Sequence, residues 1–269
     1  MGFMNYDNLI NKLENLKNNE NKFSFISEFI INHLNKINNY NINQLAKATF
    51  SSPVTIIRMC KEIGLQGYKE LIIILTSFNT NKHPNNHNKL DNTLTKIKTN
   101  LDATNTLLNF EIIQKFVDYV NSNKTILLFA YGESALWMES FYSRLLRLGI
   151  KTYFNKDHEN NLIFSQIIDQ NFVVLALSLS GETKSVLNLV KQAKKNHAVI
   201  FTISKYLQNH LKKLGDYNLN LSYNPNDNYL ITKSTRYAML YVLDLIYEQI
   251  IASKEKYYTN ILKNTFLKK

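Results

Sequence analysis

Five strand-length apolar runs separated by helix-length stretches limit the fold of this chain more than any other feature. The runs are "KTILLFA" (124–130), "IKTYF" (150–154), "NFVVLAL" (171–177), "AVIFTI" (198–203) and "YNLNL" (217–221). A run such as 171–177 has no polar break, so it predicts a strand buried on both faces. The intervening stretches, 134–148, 160–168, 182–195 and 206–214, predict helices, and a long final helix is expected over 231–252. In 182–195, Val186, Leu187, Val190 and Ala193 recur at the spacing of one helix face. Strands alternating with helices in this way predict a five-stranded parallel sheet covered on both faces.

The first third of the chain has a different rhythm and reads as helical throughout. "FSFISEFIINHLNKI" places Phe25, Phe29, Ile30 and Leu34 on one face. The short segment "NINQLAKAT" then precedes "SSPVTIIRMCKEIG". In that last piece Ser52 can cap, Pro53 suits the first helical position and Gly64 can end the helix. A short helix, a turn and a punctuated helix between 42 and 64 have the size of a helix-turn-helix, and equally of an ordinary helical hairpin. Ala46 and Ile56 are the expected crossing contacts, with Ile56, Ile57 and Met59 on the packing side. In that geometry the start of the second helix lies over base edges. The candidate DNA contacts are therefore Ser52, Pro53, Thr55 and Arg58, with Lys61 and Lys69 as further basic candidates. Between the two halves, "NTNKHPNNHNKLDN" (79–92) has no apolar periodicity and reads as linker. His83 and His87 lack a further ligand there, so no metal site is expected.

Two loops of the second half can carry binding chemistry. "LALSLSGETKS" (175–185) puts Ser178, Leu179, Ser180, Gly181 and Thr183 on a strand-to-helix turn. Such a turn, at the carboxyl end of a parallel strand, aims free backbone amides and a positive helix end at one spot. The hydroxyls add donors, and the combination suits a phosphate group. "AYGES", after the first strand, is a second loop of the same kind, with Gly132, Glu133 and Ser134. Glu133 would repel a phosphate unless it is turned away.

Charge and cysteine usage narrow the setting. The 269 residues carry a formal net charge of +11, which fits an anionic partner and equally a Lys-rich solvated surface, and the tail "KEKYYTNILKNTFLKK" is basic. The hydrophobic content of 45% excludes a disordered chain. No run approaches the roughly 18 apolar residues of a membrane span. The one cysteine, Cys60, cannot form an internal disulfide, so a reduced, cytoplasmic location is the expectation.

The motifs also resemble known families. "LAKATFSSPVTIIRMCKEIGLQGYKEL" resembles the N-terminal domain of RpiR/MurR-type transcriptional regulators through Leu45, Ala46, Ser52, Thr55, Arg58, Cys60, Gly64, Gly67, Tyr68 and Leu71. Phe50 and Ser51 stand where that family usually has Gly and Val in the turn, a position that can require positive φ. "SLSGET" and its surroundings, about 108 to 252, resemble the SIS phosphosugar-binding domain. The resemblance implies that Ser178, Ser180 and Thr183 hold a phosphate, with the backbone around Leu179 and Gly181 assisting and Ser134 joining from the first loop. "KDH" and "STRYAML" match the same version of the domain, the latter through Ser234 and Arg236, which adds Asp157, His158 and Ser234 as pocket candidates.

The expected architecture is an all-α helix-turn-helix domain (1–78), a linker with a connecting helix (79–107), an α/β SIS domain (108–254) and a basic tail (255–269). The expected function is a sugar-phosphate-responsive regulator that binds double-stranded operator DNA. No catalytic residue, cofactor or metal is expected, and a homodimer or homotetramer is expected through the SIS domain. The alternative is a phosphosugar isomerase with a helical extension, for which Glu182, Glu133 and His158 are the local bases.

Overall fold

The computed structural model describes residues 6–19, 21–34, 36–79, 89–223 and 234–265. The chain divides near residue 99 into two compact units.

The first unit is helical. Helices α1 (Tyr6–Asn18), α2 (Ser24–Asn32), α3 (Ile42–Ala48), α4 (Pro53–Glu62) and α5 (Tyr68–Asn79) enclose a core that includes Leu9, Leu13, Ile30, Leu45, Ala46, Ile56, Met59 and Cys60. Each of α3 and α4 begins with the local chemistry that helix starts require. Asn41 and Gln44 form a reciprocal capping box on α3, at 2.9 and 2.8 Å. Ser52 Oγ accepts from the Thr55 amide at 3.1 Å, and Pro53 follows it at the first helical position. Both expected crossing contacts, Ala46 and Ile56, are buried. Ile57 departs from expectation: it faces water, because only Ile56, Met59 and Cys60 fall on the buried side of α4. Burial of Cys60 pushes its thiol up to about 12, the behaviour of a small core hydrophobe.

Helix α6 (Lys89–Leu107) starts inside the segment read as linker, and residues 80–88, with His83 and His87, lie outside the described residues. Helix α7 (Phe110–Asn121) then leads into the sheet. The elements after it are β1 (Thr125–Phe129), α8 (Glu133–Arg147), β2 (Thr152–Phe154), α9 (His158–Ser165), β3 (Phe172–Leu177), α10 (Lys184–Lys195), β4 (Val199–Lys205), α11 (His210–Leu214), β5 (Tyr217–Leu221) and α12 (Thr235–Ser253). Every strand pair is parallel and the order is β2-β1-β3-β4-β5. One face of the sheet packs on α7, α8 and α12 through Phe116, Met138, Phe141, Phe201 and Val242. The other packs on α10 and α11 through Leu127, Val174, Val190 and Leu211.

The tail read from residue 255 is not a free tail. Glu255–Thr265 form α13, whose Tyr258 is buried and donates to Asn121 Oδ1 at 3.2 Å. No helix among the described residues is long and apolar enough to cross a membrane.

Candidate functional site

The strand order reverses between β1 and β3, the position where open parallel sheets bind ligands. Phe129 of β1 pairs in register with Ala176 of β3, so the loops after these strands start side by side. Sequence separation between the loops is about fifty residues, and only the register brings them together.

The β3 loop is tightly self-bonded. Ser178 is buried, and its Oγ lies 2.9 Å from Thr183 Oγ1 and accepts from the Gly181 amide at 3.2 Å. Ser180 Oγ accepts from the Glu182 amide at 3.1 Å. The Leu179 carbonyl accepts from Lys205 and the Gly181 carbonyl from Leu211, at 3.1 and 3.0 Å, which ties the loop to the end of β4 and to α11. One expectation changes here: the Gly181 amide is engaged by Ser178, so it is not a free donor. Glycine is required at 181 by its φ of +70° and by Asn209, whose side chain a Cβ would overlap. The donors left are chemical and few. One bond between the Ser178 and Thr183 hydroxyls uses one of their two protons, and Ser180 keeps its own. Thr183 precedes α10 without a side-chain cap, so the first amides of that helix also face outward unpaired within it.

The β1 loop starts beside it across the switch point. Gly132, at φ 62° and ψ −138°, opens α8 with no side-chain cap. Glu133 pairs with Arg236 at 3.6 Å, so its charge is met by a cation from the start of α12. Ser134 Oγ contacts Met239 Sδ of α12 at 3.7 Å. Ser234 is buried immediately before α12.

At the end of β2, Asp157 has a local structural duty. It caps α9, accepting from the Asn160 amide at 2.7 Å. His158 Nδ1 lies 3.1 Å from the Tyr131 hydroxyl, which also accepts from Asn161 Nδ2 at 2.9 Å. Tyr131, Asn161 and Asn209 were not read from the sequence as site residues. Tyr131 had a signal, its place in the same loop as Gly132. Asn161 and Asn209 had none, because their partners are set by packing.

Glu182 is turned to the start of α11. Both of its oxygens meet His210, at 2.6 Å from Nδ1 and 3.1 Å from the amide. Slight burial raises its pKa, but the His210 hydrogen bonds outweigh this and hold the carboxyl below its usual range. A carboxylate so held is a weak proton acceptor. Among the described residues no three His, Cys, Asp or Glu side chains converge to hold a metal ion.

The helical unit presents the other candidate surface. Ser52, the cap of α4, and Arg58 on that helix are exposed, Pro53 and Thr55 are half-buried, and Lys61 and Lys69 are exposed. The Ser52 and Thr55 hydroxyls bond to each other at 2.9 Å. Val54 and Ile57 also face outward, beside Arg58, where the sequence reading had placed Ile57 on the packing side.

Comparison with known proteins agrees with this two-part layout. The helix-turn-helix domain of the rpiR family matches residues 4–81, and the SIS domain matches residues 119–248. An HTH-type transcriptional regulator of Clostridium perfringens is 28% identical over 258 residues, 90% of this chain and 92% of that protein. Another from Caldanaerobacter subterraneus is 26% identical over 253 residues, 89% of each. Among solved structures, the Vibrio vulnificus NanR protein complexed with ManNAc-6P has the same fold, with a TM-score of 0.61 at 20% identity over 96% of each chain. The sugar isomerase domain of an RpiR transcription factor from Sphaerobacter thermophilus has a TM-score of 0.59 at 13% identity. It covers 66% of this chain and 98% of that one.

Proposed function

We propose that this chain, which belongs to the RpiR-type helix-turn-helix transcriptional regulators, changes its hold on operator DNA when a sugar phosphate enters its SIS domain. The observation that carries the reading is the pair of loops at the β1/β3 switch point. They offer hydroxyl protons and helix-start amides and, with Glu133 paired to Arg236, no unpaired carboxylate toward the ligand. The V. vulnificus NanR complex holds a phosphosugar, ManNAc-6P, in a protein of the same fold.

On this reading Ser134, Ser178, Ser180 and Thr183 bind the phosphate, with Thr183 and the first turn of α10 supplying backbone donors. Gly132, His158 and Ser234 border the sugar, and Asp157 acts through α9. Ser52, Pro53, Thr55, Arg58, Lys61 and Lys69 meet the DNA. The helix-turn-helix domain takes residues 1–78 and the SIS domain 108–254, with α13 packed behind it. The chain acts in the cytoplasm and without catalysis: an isomerase base must be free to take a proton from the substrate, whereas Glu182 is engaged by His210 and Glu133 by Arg236.

A homodimer formed through α8 completes the reading, since one helix-turn-helix covers one half-site. Leu136 and Leu146 on that helix are 55% and 46% exposed, apolar surface that a second copy would cover.

The test pairs two assays on the full-length chain. A panel of sugar phosphates should raise the melting temperature for at least one member and alter a gel shift of the chain's own upstream DNA. Arg58→Ala should weaken that shift by about 1–3 kcal/mol without unfolding the protein. Conversion of ketose to aldose phosphate by the purified protein would replace the regulator reading with the isomerase.

A further inference from the structure

The solvent stripe of α4 is built from Val54, Ile57, Arg58 and Lys61, the i, i+3, i+4, i+7 set opposite the buried Ile56, Met59 and Cys60. On an ordinary surface helix such a stripe is polar. Here two of its four members are β-branched hydrocarbons, Val54 at 57% and Ile57 at 37% exposure. Phe50, in the turn just before α4, extends the apolar half. It is 92% exposed, and its ring centroid lies 6.4 Å from that of Phe25.

Phe50 is an unfavourable residue for its position. Helix α3 ends with Ser51 N bonded to Ala46 O at 2.8 Å and Phe50 N to Lys47 O at 3.3 Å. This is the Schellman arrangement, which places a left-handed residue just past the helix and favours glycine there. The next helix closes with the same two bonds, Leu65 N to Cys60 O and Gly64 N to Lys61 O, and there the residue is glycine, at φ 89°. Phe50 adopts φ 48° with a bulky side chain. A phenyl ring held against its conformational preference and surrounded by water contributes little to the folded chain. Its use lies outside the chain.

We propose that Phe50, Val54 and Ile57 read thymine 5-methyl groups in the major groove, so that the half-site is thymine-rich where the start of α4 lies. The inference rests on the DNA-binding function of the helix-turn-helix. Thymine is the one base that presents a methyl group in that groove, and apolar side chains contact it. The residues at the start of the second helix are those over base edges. DNA is favoured over a second protein surface by charge. Arg58 and Lys61 share the stripe and Lys47 is exposed on the preceding helix, so an apolar partner would bury unpaired cations that phosphates would satisfy.

The experiment uses the full-length chain and duplexes selected by it from a random-sequence pool. Each thymine of a selected half-site is replaced in turn by uracil, which removes only the methyl group. At two or more positions the replacement should weaken binding about fourfold, the effect of one buried methyl-sized group. Phe50→Asn, a residue that tolerates the left-handed conformation, should bind the thymine duplex more weakly and lose the uracil effect at one position, with no drop in melting temperature. Full affinity for every uracil duplex overturns the thymine reading while leaving DNA binding intact. Failure to enrich any duplex overturns both. A Phe50→Asn chain that keeps its uracil sensitivity but sediments as a smaller assembly assigns the patch to a protein contact and overturns the proposal.

Discussion

Phe50 and Gly181 hold comparable places in the two units. Each has positive φ, 48° and 70°, and each lies in a turn shortly before a helix that the function depends on. Their surroundings differ completely. The Phe50 side chain leaves the protein into solvent, whereas any side chain at Gly181 would enter Asn209. Backbone conformation and available space are therefore separate demands. A position that makes only the first tolerates an unsuitable residue at moderate energy, and a position that makes both admits glycine alone. On the proposed function, the rigid loop at Gly181 suits a small ligand that needs fixed donors. On the proposed thymine contact, the turn at Phe50 suits a partner that meets the ring from outside.

The strongest way to break the comparison is Gly181→Ala. Strain at positive φ and overlap with Asn209 should together lower stability by about 3 kcal/mol. Urea unfolding of the full-length chain measures it. Asn209→Gly in the same chain should lose less than the sum of the single changes, because the overlap is gone. Strict additivity would show that the Asn209 contact is not what restricts this position.

A smaller effect is expected from Ser178→Ala. It deprives Thr183 of its hydroxyl partner and leaves the Gly181 amide with only the Ser178 carbonyl at 3.0 Å. The expected loss is about 1 kcal/mol of stability, together with loss of the thermal shift from the stabilising sugar phosphate. An unchanged thermal shift would mean the loop is built for its own rigidity rather than for an anion.

The smallest change has the opposite sign. Phe50→Asn should gain up to about 1 kcal/mol, since strain is relieved and almost no burial is lost. A clear destabilisation would show that the contact with Phe25 matters to the helical unit and that the two turns are more alike than their exposure indicates.

Much of this molecule was legible before the fold was known. The parallel sheet followed from strand-length runs alternating with helix-length stretches, and each strand lies within a residue or two of its expected range. The caps at Ser52 and Pro53 followed because a helix start is chemistry among neighbours in sequence. The expected helix over 206–214 shortened to His210–Leu214 because Asn209 bonds to Ser204, Lys205 and Leu207 and caps the helix from His210 onward. The helix at 255–265 was missed because its apolar face is sparse and its net charge suggested a solvated tail. Its Tyr258 finds a hydrogen bond at Asn121, which no local pattern records.

The candidate pocket divides along the same line. The sequence alone determined which residues could donate to a phosphate, since Ser178, Ser180 and Thr183 are close in the chain and come directly after a strand. The tertiary structure decided which protons remain available, because the loop bonds to itself and to α11. It decided that Asp157 caps a helix, that Glu133 meets Arg236 and that Glu182 turns to His210. Local order is fixed by residues a few positions apart. The pairing of polar side chains depends on which distant elements the sheet brings together, and no spacing along the chain encodes that.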